Sequence, residues 1–147
     1  MGDAPNLNQI EGCCLCGAIT VRGTMARPMV RACHCDMCRK HTSSMFMSIG
    51  LDTDSIEVAG DVQTYASSDW AERGFCGSCG STIFYRTLHD GARNLSAGLF
   101  DNAGGAPLEL EYFADRCPQG YHLAGDHRKM TTQETIALFA PSEGETR

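Results

Sequence analysis

The sequence predicts a mainly β protein, a compact single domain of short antiparallel strands, on three observations. Its apolar stretches are brief and rich in β-branched, aromatic or Met residues, with Gly, Asp and Pro between them. Sustained 3.6-residue periodicity, the mark of amphipathic helices, is nearly absent. Seven of the nine cysteines fall in three tight clusters, Cys14/Cys16, Cys33/Cys35/Cys38 and Cys76/Cys79, a pattern of metal ligation.

In chain order, Ala18-Ile19-Thr20-Val21, Met29-Val30-Arg31-Ala32 and Met45-Phe46-Met47-Ser48-Ile49 read as strands. Ser55-Ile56-Glu57-Val58, Val62-Gln63-Thr64-Tyr65 and Thr82-Ile83-Phe84-Tyr85 do so on the same composition. Asn94–Leu99 and Leu108–Phe113 add two more, the second with period-two alternation. A helical turn is expected through Asp36–His41, and a second where Thr131-x-x-Glu134 forms a capping box before Ile136-Ala137-Leu138-Phe139. Gly104-Gly105 and Cys117-Pro118-Gln119-Gly120 mark loops, the two ends read as polar tails, and no linker divides residues 1–147.

At 147 residues and 42% hydrophobic composition the chain can bury a core of its own. The opening Met1–Asn8 is neither basic nor apolar, and no run reaches the ~18 apolar residues of a membrane span. The expectation is a soluble cytoplasmic protein with no membrane partner. Nine cysteines is an odd number, and closely spaced thiols persist in a reducing compartment, so metal ligation is preferred over disulfides. The formal charge of -6 becomes about -9 once four thiolates hold one Zn²⁺ and three hold another, which argues against a nucleic-acid surface.

Seven thiols divide into four and three. A closed four-thiolate zinc holds structure together, whereas three ligands leave a position open for water or substrate. The count therefore points to two zinc ions per chain, one structural and one catalytic. In Cys76-Gly77-Ser78-Cys79-Gly80 the two-residue spacing lets both sulfurs reach one ion. A thioredoxin-like redox pair would need a βαβ context that is missing here. Cys14-Leu15-Cys16 is read as extended strand, which places both sulfurs on one side and Cys13 on the other as a bystander. Cys33-His34-Cys35-Asp36-Met37-Cys38 combines an extended pair with a turn that brings round a third sulfur. His34 alternates away and is read as a packing or hydrogen-bonding residue. His41, His89, His122 and His127 have no ligand spacing and are read as surface or packing residues. Spacing alone leaves the pairing of clusters open. Cys35/Cys38 with Cys76/Cys79 would make a zinc ribbon, and a third structural arm completed by Cys117 or a histidine is a further option.

The order Gly12-Cys13-Cys14-Leu15-Cys16-Gly17-Ala18, then Cys33-His34-Cys35-Asp36-Met37-Cys38-Arg39-Lys40, then Arg73-Gly74-Phe75-Cys76-Gly77-Ser78-Cys79-Gly80-Ser81, resembles the glutathione-dependent formaldehyde-activating enzyme family, which includes the centromere protein V domain. With Leu99-Phe100-Asp101 the resemblance covers about residues 10–115, leaving 116–147 as a C-terminal extension. It implies a β-tent-like zinc fold in which Cys14, Cys16, Cys76 and Cys79 share the structural zinc and Cys33, Cys35 and Cys38 hold the catalytic one. The implied activity is carbon–sulfur chemistry on glutathione and formaldehyde, giving or splitting S-hydroxymethylglutathione. Many members have a glycine where this chain has Ser43-Ser44, and Cys13 and Cys117 lie outside the shared pattern.

A zinc-dependent carbon–sulfur lyase with a small thiol and an aldehyde as partners is thus the expected function, with Arg39 or Lys40 near the second cluster to offset charge and attract carboxylates. The alternative is a nonenzymatic zinc scaffold for protein–protein interaction, which needs closed sites and an exposed apolar patch rather than an open ligand position. Iron–sulfur electron transfer fits less well, because the spacing departs from ferredoxin runs.

Overall fold

The computed structural model describes residues 8–139; the polar tails expected at either end lie largely outside them. The fold is mainly β, with eleven strands in two sheets and two helices among the described residues. Two compact units divide the chain: one runs to Val30 and resumes over Met47–Pro107, the other comprises Arg31–Phe46 and resumes at Leu108.

The first unit contains a three-stranded antiparallel sheet in the order β1 (Gln9–Cys13), β2 (Thr20–Thr24), β5 (Glu57–Ala59). It also contains, from Met47 onward, the antiparallel run β4 (Phe46–Gly50), β9 (Arg93–Ser96), β8 (Thr82–Thr87), β7 (Ala71–Cys76), β6 (Val62–Ala66). Alternation buries Val21 on β2, while Ile49, Ile83 and Leu95 are wholly buried on β4, β8 and β9. Each such side chain contributes about 1.5–3 kcal/mol by leaving water. Gly12 on β1 lies against the carbonyl of Leu99, and a Cβ there would come 2.1 Å from that oxygen. Only glycine permits the Gly12–Phe100 bridge.

The expected strands are found with shifted ends, but β1, β7 and β11 (Arg128–Lys129) have no counterpart among the expected elements. β7 carries Glu72, Arg73 and Gly74, a composition that argues against a strand in isolation. Pairing on both edges overrides that preference, and buried Arg73 lies over the Tyr85 ring at 5.1 Å.

In the second unit β11 (Arg128–Lys129) pairs in parallel with β10 (Leu108–Tyr112), which neighbours β3 (Val30–Cys33). Two residues, His34 and Cys35, separate the end of β3 from helix α1 (Asp36–Thr42). Helix α2 (Thr132–Phe139) begins with the expected capping box: Glu134 N–H donates to the Thr131 hydroxyl at 3.1 Å and Thr131 N–H to the Glu134 carboxylate at 3.0 Å. Neither helix is long and apolar enough to cross a membrane.

Candidate metal centres

The first cluster is built from two hairpin turns of the first unit. Between β1 and β2 the chain reverses through Cys14–Gly17, closed by Gly17 N–H donating to the Cys14 carbonyl at 3.0 Å. The expected extended strand at Cys14-Leu15-Cys16 is therefore replaced by a turn. The turn, not strand alternation, brings the two sulfurs to 3.7 Å. Cys13 ends β1 with an exposed side chain and stands outside the cluster.

Between β7 and β8 the second turn runs through Cys76–Ser81. Gly80, at φ +79°, closes it by donating to the Cys76 carbonyl at 2.8 Å; the left-handed backbone there favours glycine. Ser78 N–H and Cys79 N–H point at the Cys76 sulfur (3.4 and 3.5 Å), and Ile19 N–H points at the Cys14 sulfur (3.3 Å). Amides aimed at sulfur stabilise thiolate, the form that binds metal.

The sulfurs of Cys14, Cys16, Cys76 and Cys79 all lie within 4.8 Å of one another. Four sulfurs at ~2.3 Å around one tetrahedral ion are about 3.8 Å apart. The Cys14–Cys16 and Cys16–Cys76 separations, 3.7 and 3.8 Å, match that edge. The Ser81 hydroxyl, 3.1 Å from the Cys79 sulfur, and neighbouring backbone bring that thiol down to about 5. At Cys16 a backbone contact at Ala18 acts to lower the value, but the Cys14 thiol and burial prevail and push it up to about 11. Acid-strengthened and acid-weakened thiols side by side are what several sulfurs sharing too few protons produce.

The second cluster comes from one short segment of the second unit. Cys33 ends β3, Cys35 caps α1 and accepts from Cys38 N–H at 3.3 Å, and buried Cys38 lies in the first helical turn. Their sulfurs also lie within 4.8 Å of one another. Contacts with the Cys35 and Cys38 thiols, then burial, raise the Cys33 pKa strongly. The chemistry of both donor sets suits a thiophilic divalent ion.

The surroundings of the second cluster are tied down by Glu111, which the sequence did not single out, and by His34, expected from the sequence to pack or hydrogen-bond. His34, fully buried, donates its Nε2–H to Glu111 Oε1 at 2.7 Å. Glu111 Oε2 accepts from His127 Nε2. His127, expected as a surface or packing residue, is thus a buried partner of Glu111. No local spacing signals this pairing, because the residues lie 16 and 77 positions apart along the chain. Burial raises the Glu111 pKa, but the hydrogen bonds from His127 and His34 outweigh it and hold the carboxyl below its ordinary value. Arg39 is engaged: its Nε donates to the His34 carbonyl at 3.0 Å, and its guanidinium pairs with Asp36, which also meets Arg116 at 3.3 Å. The carbonyl-side end of α1 is capped by Ser43 at φ +79°, the conformation glycine adopts most easily. Cys117 stands apart from both clusters, its thiol directed at the Tyr121 carbonyl at 3.4 Å. An open hollow of about 430 Å³ borders Cys76 and is lined by Ile19, Gln63, Phe75 and Ser78.

Comparison with known proteins adds three findings. The sequence profile of the glutathione-dependent formaldehyde-activating enzyme family matches residues 9–116. A Schizosaccharomyces pombe protein described as an uncharacterized lyase is 31% identical over 132 residues, spanning 87% of this chain and 95% of its own. The crystal structure of a Rhodobacter sphaeroides protein superposes with a TM-score of 0.55 at 15% identity, covering 82% of this chain and all of that one, a likeness of fold.

Proposed function

The chain belongs to the glutathione-dependent formaldehyde-activating enzyme family, and from that premise we propose that it is a zinc-dependent carbon–sulfur lyase or synthase. Its substrates are a small thiol of the glutathione kind and an aldehyde of the formaldehyde kind. The thiol R–SH adds across H₂C=O to give R–S–CH₂–OH, the sulfur bonding to carbon and the thiol proton ending on oxygen; the lyase direction reverses both transfers. The observation that carries this reading is the division of seven clustered thiols into a set of four and a set of three.

In this reading Cys14, Cys16, Cys76 and Cys79 hold a structural zinc, and Cys33, Cys35 and Cys38 hold a catalytic one, two ions per chain. A zinc with three thiolates supplies a Lewis acid with one position for a substrate sulfur or carbonyl oxygen. The protein's part is to present the three sulfurs together. β3 delivers Cys33, the α1 cap delivers Cys35 with its sulfur oriented by Cys38 N–H, and the first helical turn delivers Cys38. Arg39 spends its guanidinium on Asp36 and the His34 carbonyl, so it shapes the segment, and we assign the attraction of substrate carboxylates to exposed Lys40. Nine cysteines without a disulfide suit the reducing cytoplasm, where we place the protein.

Exchange spectroscopy on zinc-replete protein tests the activity, scored as exchange between free and hydroxymethylated thiol in excess of the uncatalysed rate. Excess with glutathione is the expected result. No excess across several thiols would transfer the assignment to the scaffold reading. Metal analysis of reduced protein should give two zinc ions per chain, and one ion even after zinc is added back would overturn the ligand assignment.

A further inference from the structure

One buried carboxylate links the cysteine segment of the second unit to chain that lies beyond the family-matched residues. Glu111 takes one hydrogen bond on each oxygen, from His34 and from His127, and the three side chains are 4%, 0% and 3% exposed. His34 sits between Cys33 and Cys35, so its ring and the two sulfurs share one stretch of backbone. That stretch is held at two further points: His34 N–H donates to the Tyr112 carbonyl at 3.1 Å, and the His34 carbonyl accepts from Arg39 at 3.0 Å.

Glu111 is braced in turn by residues C-terminal to it. Its carbonyl accepts from Met130 N–H at 2.9 Å, the Met130 carbonyl accepts from Ala114 N–H at 2.8 Å, and Phe113 N–H donates to the Thr135 hydroxyl at 3.1 Å. His127, Met130 and Thr135 all lie past residue 116, where the family match ends. A buried carboxylate needs donors on both oxygens. Without His127, Glu111 keeps a single partner and is free to rotate about it, and the orientation of His34 loosens with it. Because Cys33 and Cys35 flank His34 along the chain, their sulfurs lose the fixed spacing a metal requires.

We propose that His127 is a positioning residue of the Cys33/Cys35/Cys38 site, acting through Glu111 and His34, which makes the C-terminal segment a working part of that site. This rests on the reading of the cluster as a metal site, and the test separates the two. The full chain, with its four-sulfur cluster first loaded with zinc, is titrated with cobalt(II) against a competing chelator while the visible thiolate bands are recorded. His127→Leu removes the N–H donor, and His127→Gln restores one at the same reach.

The expected result is cobalt affinity about 10–100-fold weaker in His127→Leu, with shifted bands, and near wild-type affinity and bands in His127→Gln. Glu111→Gln, which keeps the shape and removes the charge, should reproduce the loss and serves if His127→Leu fails to fold. Equal cobalt affinity and unchanged bands in His127→Leu and Glu111→Gln, with only a lower melting temperature, would overturn the proposal and leave a purely structural contact. If wild-type protein binds no cobalt at the second cluster, the metal reading fails and the proposal with it.

Discussion

The two cysteine clusters reach similar geometry by opposite routes. The four sulfurs of the first unit come from turns at Cys14–Gly17 and Cys76–Ser81, and two of them, Cys16 and Cys76, are 60 residues apart yet 3.8 Å from each other. The three sulfurs of the second unit come from one strand–helix junction six residues long, Cys33–Cys38. A site gathered from distant hairpins contributes to folding, since binding a metal there closes a long loop. A site carried by one local segment gains little from closure and depends on neighbours such as Glu111 to hold its segment still. With metals bound as proposed, the first cluster would contribute chiefly to stability and the second would depend chiefly on orientation.

The largest test of that contrast is Cys79→Ser. Structural zinc sites in small modules contribute on the order of 10 kcal/mol, so this variant should be insoluble or unfolded, while Cys35→Ser should remain soluble and melt cooperatively. Soluble yield and thermal melts decide it, and the reverse order of damage would exchange the roles of the clusters.

Glu111→Ala comes next. It leaves two buried imidazole N–H groups without their acceptor, and a loss of about 3 kcal/mol in denaturant unfolding is expected. The same residue sets an acid limit. Its folded-state pKa lies below the ordinary 4.5, so its contribution is fully present above pH 4.5 and is lost as pH falls through the lower folded value. The stability profile of wild type should therefore steepen below pH 4.5, and Glu111→Gln should flatten that limb. An unchanged limb would show that other carboxylates carry it.

The smallest effect is expected at Ser43. A non-glycine residue at φ +79° is strained, and Ser43→Gly should stabilise the end of α1 by about 0.5 kcal/mol, read as a small rise in melting temperature. A loss instead would mean that the serine makes a contact worth more than the strain it bears.

Much of the local structure was legible because local physics decides it. Thr131 and Glu134 carry their own capping instructions, alternation at Leu108–Tyr112 marks a strand, and Cys76-x-x-Cys79-Gly80 specifies a turn that directs two sulfurs at one point. Where the reading failed, a long-range partner decided the conformation. β7 is a strand despite Glu72, Arg73 and Gly74 because β6 and β8 pair with it, and Cys14–Cys16 turns because β1 and β2 form a hairpin around it.

The sequence by itself determined that thiols able to bind metal come in three groups with these spacings, since ligand chemistry is a property of residue type and short-range geometry. Spacing left the grouping of those thiols open, and the family resemblance implied one; the tertiary structure places four together and three together. It also decided that His127 faces Glu111 rather than solvent, and that Glu111 holds His34, the residue between Cys33 and Cys35 in the chain. The reason is physical: a sulfur's reach is written in a few neighbouring residues, but a buried carboxylate's partners are chosen by the packing of strands far apart in the chain.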